Sequence, residues 1–225
     1  TNGAEVCSNT LTVNSVAVPD TTLPRFDPHP TNQTLEYGTE FSYDINATDN
    51  VAIQNYSLNY TSLFRINNSG GITNISAILS LGTYHFNLSI NDTSNNVNWT
   101  FFSITVIDTT IPRFDPQPIN QTIDANTTFL YDINATDALF ANYSINYTSQ
   151  FVINSTGAIT NSSVILALGV YHFNISINDT SNNRNGTFFR LTVQDNVLPR
   201  FDPFPVNQTL EANTTFLYDF NATDL

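Results

Sequence analysis

Apolar and polar residues alternate along most of this chain, the two-residue period with which a strand sends successive side chains to opposite faces. Between residues 41 and 48, Phe41, Tyr43, Ile45 and Ala47 fall on one face while Ser42, Asp44, Asn46 and Thr48 fall on the other. The same period turns Tyr56, Leu58 and Tyr60 inward, then Phe64 and Ile66, then Tyr84, Phe86, Leu88 and Ile90, and finally Phe102, Ile104 and Val106. Turn chemistry separates these runs: Gly70-Gly71, Leu81-Gly82 and the Asn-Asp-Thr-Ser-Asn-Asn run that starts at Asn91. No segment sustains a helical period. Six or seven short, half-buried, antiparallel strands are therefore expected in each unit, which makes an all-β sandwich of Greek-key type a better solution than a barrel.

The pattern is copied along the chain. Pro-Arg-Phe-Asp-Pro stands at residues 24–28, 112–116 and 199–203, so successive copies start 88 and 87 residues apart, one small domain each. Residues 24–111 and 112–198 read as complete β-sandwich repeats joined by short Pro-rich linkers. Residues 1–23 parallel the end of a repeat and are expected to hold its final strand, over residues 10 to 18; residues 199–225 parallel the opening strands of a further one, with a pair of strands expected within 206 to 223. Both ends thus read as falling inside a domain, either cropped from a longer polypeptide or completed by a neighbouring subunit joined head to tail.

Composition narrows the function. Hydrophobic residues make up 40% of the chain and aromatics 12%, enough for two cores, while only 11% are charged and the net charge is −13. Nucleic acid is excluded as a partner for such a surface. Cys7 is the single cysteine, so no intrachain disulfide or soft metal site is available. No run approaches the roughly 18 apolar residues of a membrane span.

What solvates the outer faces is Asn, Ser and Thr, in one arrangement. Of 32 asparagines, 22 begin an Asn-x-Ser/Thr sequon, where the Ser and Thr content would give about 7 by chance. They are Asn32, Asn46, Asn55, Asn59, Asn67, Asn74, Asn87, Asn91 and Asn98 in the first repeat; Asn120, Asn126, Asn134, Asn142, Asn146, Asn154, Asn161, Asn174, Asn178 and Asn185 in the second; and Asn207, Asn213 and Asn221 in the last stretch. A sequon has the period of a strand, so its Asn and hydroxyl residue share the outer face while the middle residue points into the core. Covalent N-linked glycans are expected at most of them, with the strand-face sites most reliably occupied, and with them an extracellular or cell-surface location.

The junction is the second informative element. Its prolines fix φ and restrict the residue before each, which predicts an extended, stiff joint. In such a chain Arg113 and Asp115 share one side within reach of neighbouring units and Phe114 is buried between those units; Arg25, Phe26 and Asp27, and Arg200, Phe201 and Asp202, take the same roles.

The order Ala-Thr-Asp, Tyr-Ser-x-Asn, Phe-x-Ile-Asn-x-x-Gly-x-Ile-Thr, Tyr-x-x-x-x-Ser-Ile-Asn-Asp and a closing Val-x-Asp resembles cadherin-like and Ig-like tandem repeats of archaeal and bacterial cell-surface proteins. That resemblance implies an extracellular β-sandwich array used as a stalk, fibre or adhesin. Cadherin repeats bind calcium at their joints; the positions matching those ligands are Glu36, Asp108 and Asp137 for one joint and Asp124, Asp195 and Asp224 for the next. Ser80-Leu81-Gly82 replaces the family's Asp-Arg-Glu, and three oxygen-bearing side chains fall short of the six to eight ligands calcium takes. Proline and hydrophobic packing are therefore expected to supply the stiffness, with no cofactor other than glycan; calcium at the joints is the alternative.

No catalytic constellation emerges. His29 lies in one junction, His85 and His172 recur on an outward strand face without a nucleophile or paired acid, and Asp92 and Asp179 sit in turns that their own hydrogen bonding explains. A non-enzymatic structural segment of a filament or surface stalk is expected, contacting neighbouring repeats or identical subunits. The alternative is an adhesin with a cell-surface protein or glycan partner, for which Trp99, replaced by Gly186 in the second repeat, is the one difference in kind.

Overall fold

The computed structural model describes residues 18–75, 78–162 and 165–224 and divides into two compact units, Thr1–Asp108 and Thr109–Leu225. Cys7 and the strand expected over residues 10 to 18, its last residue excepted, lie outside the described residues; residues 18–23 form no strand.

In the first unit the strands are β1 (Arg25–Phe26), β2 (Gln33–Glu36), β3 (Ser42–Asp44), β4 (Ala47–Thr48), β5 (Ile53–Leu58), β6 (Phe64–Ile66), β7 (Gly71–Asn74), β8 (Gly82–Asp92) and β9 (Val97–Ile107). A four-stranded sheet, β2-β9-β8-β5, and a three-stranded sheet, β3-β7-β6, supply the two layers, and β1 pairs with β4 alone. Leaving aside that two-residue pair, seven strands remain, as the periodicity predicts. Two of them are longer than expected. The β8–β9 hairpin carries eleven residues on each side, and its pairing runs without a bulge from Gly82 opposite Val106 to Asn91 opposite Val97. One pairing departs from an all-antiparallel layout: β2 lies parallel to β9, with Gln33 opposite Ile104 and Glu36 opposite Ile107. Alternation assigns a face to each residue and is the same for either strand sense, so it carried no sign of this.

The second unit repeats the first: β10 (Arg113–Phe114), β11 (Gln121–Asp124), β12 (Leu130–Asp132), β13 (Ala135–Thr136), β14 (Phe140–Ile145), β15 (Phe151–Ile153), β16 (Ala158–Asn161), β17 (Gly169–Asp179) and β18 (Arg184–Gln194), in sheets β11-β18-β17-β14 and β12-β16-β15 with the pair β10-β13.

Phenylalanine rings from both layers fill each core. Phe86 and Phe102 face each other across β8 and β9 and stack at 4.9 Å, while Phe64 of β6 meets Phe86 edge-on at 4.8 Å. Phe173, Phe189 and Phe151 reproduce this at 4.5 and 4.8 Å. The inward residues assigned from the period are buried or packed on the core, with one exception. Tyr60, 40% exposed, lies just past β5 at a φ of 58°, where its ring caps Tyr84 and Phe86 from the edge. A left-handed residue breaks the alternation, so the period no longer applies there.

Gly70 and Gly157 hold the bend before β7 and β16 at φ of 91° and 92°. A Cβ at either would fall 1.9 Å from a backbone oxygen, that of Ile45 or Ile133. Gly70's own carbonyl accepts the Ile45 amide at 3.0 Å, so the β3–β7 ladder continues for one step there through backbone alone.

Within residues 199–224, β19 (Arg200–Phe201) pairs antiparallel with β20 (Ala222–Thr223). The expected pair of strands within 206 to 223 reduces to β20, whose partner is the junction itself. Phe201, Phe216 and Phe220 are 47%, 58% and 60% exposed, whereas the matching Phe114, Phe129 and Ile133 are buried.

Candidate functional site

The junction belongs to the units rather than to the space between them. Phe26 and Phe114 were expected to be buried between neighbouring units; each instead lies in the core of the unit it opens, opposite Ala47 or Ala135 across a two-residue ladder. The Asp27 and Asp115 amides extend that ladder to the Asn46 and Asn134 carbonyls, each at 3.0 Å, and in the third copy Asp202 reaches Asn221. The chain then bends at Asp27–Pro28, so only Arg-Phe is extended and not the whole Pro-rich stretch. All three Asp-Pro bonds are cis. Arg25, Arg113 and Arg200 are exposed, as are Asp27, Asp115 and Asp202.

All 22 sequon asparagines lie at exposed or half-buried positions. Their side chains divide into two groups, a division the sequon pattern does not show. In the first group the amide is part of the fold. Asn59, just past β5, donates from Nδ2 to the His85 carbonyl at 3.0 Å and accepts the Asn87 amide on Oδ1 at 2.9 Å; Asn146 does the same to His172 and Asn174. These side chains continue the sheet ladder for one step where the backbone turns away. Asn98 and Asn185 donate to the Pro24 and Pro112 carbonyls at 2.8 and 3.0 Å, tying the long hairpin to the junction. For that they lie on the inner side of their strands, an exception to the outward placement read from the period. Asn67 and Asn154 each cap a turn with Oδ1, accepting two backbone amides. Asn74, Asn161, Asn32 and Asn120 likewise accept one backbone amide each from a neighbouring segment.

Asn91 and Asn178 donate to the Gln54 side chain and the Asp179 carbonyl. The second group makes no side-chain hydrogen bond among the described residues: Asn126, Asn207, Asn213 and Asn221, and the paired Asn46, Asn55, Asn87, Asn134, Asn142 and Asn174. The paired ones stand on or beside strands, with the amide free to carry a substituent. Around Asn87 the outer face of β8 and β9 presents His85, Ser89, Phe101 and Ser103. His85 and His172 are exposed there, and His29 lies against Phe26 and Thr100.

A cluster of three carboxylates lies beside the β1–β4 pair of the first unit. Asp20, Asp49 and Asp92 each bring one oxygen to within 4.8 Å of the others. Asp92 is fully buried; its Oδ1 accepts the Ser94 and Asn96 amides at 2.8 Å and its Oδ2 the Asn96 side chain at 2.7 Å, the turn bonding expected from sequence. The Thr22 amide, and after it the Asn50 side chain, hold the Asp20 carboxyl below its ordinary range. One oxygen each of Asp20 and Asp49 is buried with no hydrogen-bond partner. Such a donor set suits a hard divalent cation and supplies about half of the shell that calcium takes. Sequence matching had instead put Glu36, which lies on β2, among the ligand positions and read Asp92 only as a turn residue. The turn signal is real and gave no sign of the cluster. In the second unit Asp137 and Asp179 hold the corresponding turns, accepting Leu139, Ser181 and Asn183 amides.

No family model matches the chain, and no curated protein is similar to it in sequence. Solved structures are similar in fold. The titin domains Z1Z2, in complex with telethonin, match with a TM-score of 0.52 at 10% identity over 79% of this chain and 100% of that one. The chain is built of immunoglobulin-like β-sandwiches. Cadherin ectodomains also align with this Ig-like chain: human protocadherin-24 EC1-2 at 16% identity over 78% of this chain and 100% of that one, and mouse cadherin-23 EC22-24 at 20% over 77% and 65%, with TM-scores of 0.39 and 0.37. Among the described residues no helix is long and apolar enough to cross a membrane.

Proposed function

We propose that this chain is a segment of an extracellular filament or cell-surface stalk, built from stiff Ig-like units whose faces carry N-linked glycans, and that it has no catalytic role. The carrying observation is the set of paired, unbonded sequon asparagines, repeated at the same positions in both units, on faces that otherwise offer hydroxyls and few charges. Neighbouring repeats or identical subunits are its structural partners. Strands of about ten residues plus the joint give an axial repeat of about 40 Å per unit. Intact mass of native material, before and after enzymatic deglycosylation, tests the glycan claim: a native mass at the bare 25.0 kDa refutes it. Electron micrographs test the stalk, and a filament with an axial spacing unrelated to 40 Å would exclude it.

A calcium-stiffened version of the same stalk is favoured by the unpartnered oxygens of Asp20 and Asp49. Asp20, Asp49 and Asp92 would hold the ion, joining the strand-free segment before β1 to the β8–β9 turn. Thermal unfolding in chelator and in millimolar calcium tests it; equal melting temperatures in both would exclude the ion.

A further inference from the structure

The outer face of each long hairpin carries an exposed phenylalanine at the same register. Phe101 and Phe188 are both 74% exposed and hold the same place in the two units. A single exposed apolar residue needs no explanation; a pair repeated at one register, although its neighbour on the same strand face changes from Trp99, 61% exposed, to Gly186, is a placed feature. The register shows what each ring faces. Phe101 is directly opposite Asn87, and Phe188 directly opposite Asn174. Both asparagines begin sequons, and both belong to the group without side-chain bonds.

Resting on the glycoprotein reading above, we infer that the first sugar attached to Asn87 lies over the Phe101 ring, and that of Asn174 over Phe188, so that each glycan is fixed against the sheet rather than left free in solvent. Directly opposed residues on an antiparallel pair hold their Cβ atoms about 4.5–5.5 Å apart, so a ring attached through Asn Nδ2 starts beside the phenyl group. A pyranose presents a face of C–H groups, weakly positive, to the negative face of an aromatic ring. Stacking there also removes the phenyl surface from water. Space is available: Asn32, Asn59, His85, Asn87, Phe101 and Ser103 line a shallow depression of about 450 Å³, within the ~300–1,000 Å³ of small-ligand sites. The Asn87 Oδ1 in that depression is buried without a partner, and hydroxyls of an attached sugar supply donors beside it. Asn59, which also lines the depression, already spends its amide on His85 and Asn87 and leaves the space to its neighbour.

The test is made on the full chain produced with its glycans. Site-resolved mass spectrometry first establishes sugar on Asn87 and Asn174. Carbon–proton correlation NMR then reads the protons of the attached residues. The expected result is an upfield ring-current shift of one face of the Asn87-linked sugar that disappears in Phe101→Ser and is untouched by Phe188→Ser, with the converse at Asn174. Sugars present on both residues but without a Phe-dependent shift overturn the stacking and leave the glycoprotein reading intact. Glycans found at other sequons and absent from these two overturn it equally. A chain bare at every sequon overturns the glycoprotein reading itself.

Discussion

If the sequon asparagines serve two purposes, removing the amide from the fold-building group should destabilise a chain that carries no sugar. Asn59 is the sharpest case. Replacing it by Ala deletes the bond to the His85 carbonyl at 3.0 Å and the bond from the Asn87 amide at 2.9 Å. Each contributes about 0.5–1.5 kcal/mol net, so the loss should be about 1–3 kcal/mol. For a unit of this size each kcal/mol lowers the melting temperature by about 4–8 °C. The assay is thermal unfolding followed by circular dichroism, on chain made in a host that does not glycosylate. Asn146→Ala should act equally on the second unit. Asn46→Ala and Asn55→Ala, with no side-chain bonds to lose, should stay within about 0.5 kcal/mol of the parent. Asn59→Asp keeps the acceptor toward Asn87 but turns an oxygen toward the His85 carbonyl, so it should not rescue. If Asn59→Ala and Asn146→Ala melt with the two controls, the bridging bonds contribute nothing and the division into two groups fails.

Three further outcomes follow from the cores and the turns. Phe86→Ala, or Phe173→Ala, empties a fully buried ring site stacked on Phe102 or Phe189 and should cost about 3–5 kcal/mol in chemical denaturation, a large share of one unit's stability. Gly70→Ala places a Cβ 1.9 Å from the Ile45 oxygen at a φ of 91° and should lower stability more than Gly38→Ala, where the φ is 76° and a Cβ meets nothing within 4 Å. The Asp20 carboxyl, held low by the Thr22 amide and Asn50, should lend stability that is fully present above its unfolded value of about 3.8 and lost as pH falls through its lower folded value. An acid unfolding curve that Asp20→Asn leaves unchanged would contradict this.

How far the sequence disclosed the molecule depends on which signal each feature leaves. Two-residue alternation is direct evidence of facing, and it located nearly all the buried residues, from Phe41 to Val106. It is silent on strand sense, which hid the parallel β2–β9 pair, and it fails where φ turns positive, as at Tyr60. The repeated junction was legible as a unit boundary, but its phenylalanine could not be assigned to a core without knowing that Ala47 would lie opposite. The sequons were visible one by one. The bonds that set Asn59 or Asn98 apart from Asn55 reach across 26 or 74 residues and leave no local trace. Asp20, Asp49 and Asp92 were likewise too distant in sequence to be read as one cluster.

Similar units in one chain face a hazard that bears on where sugar would be placed. The strand orders leave β5 and β14 as edges of the four-stranded sheets, and a bare edge invites pairing with the same edge of another copy. Proteins commonly block such edges with charge, yet Ile53–Leu58 and Phe140–Ile145 contain none. Each has a register shift, at Ile53/Asn55 and at Phe140/Asn142, which interrupts one end of the ladder. The rest of each edge pairs in regular register and holds a sequon asparagine without a side-chain hydrogen bond, Asn55 or Asn142. On the glycoprotein reading proposed above, a glycan at that position would do the work of the missing lysine. Chain made without glycans should therefore associate under concentration, read as a rise in light scattering with time, while glycosylated chain stays monomeric. Asn55→Lys with Asn142→Lys in the bare chain should restore the monomer, whereas the corresponding Gln changes should not. Equal scattering from bare and glycosylated chain would show that the bulges alone protect these edges, and that the glycans on them serve some other end.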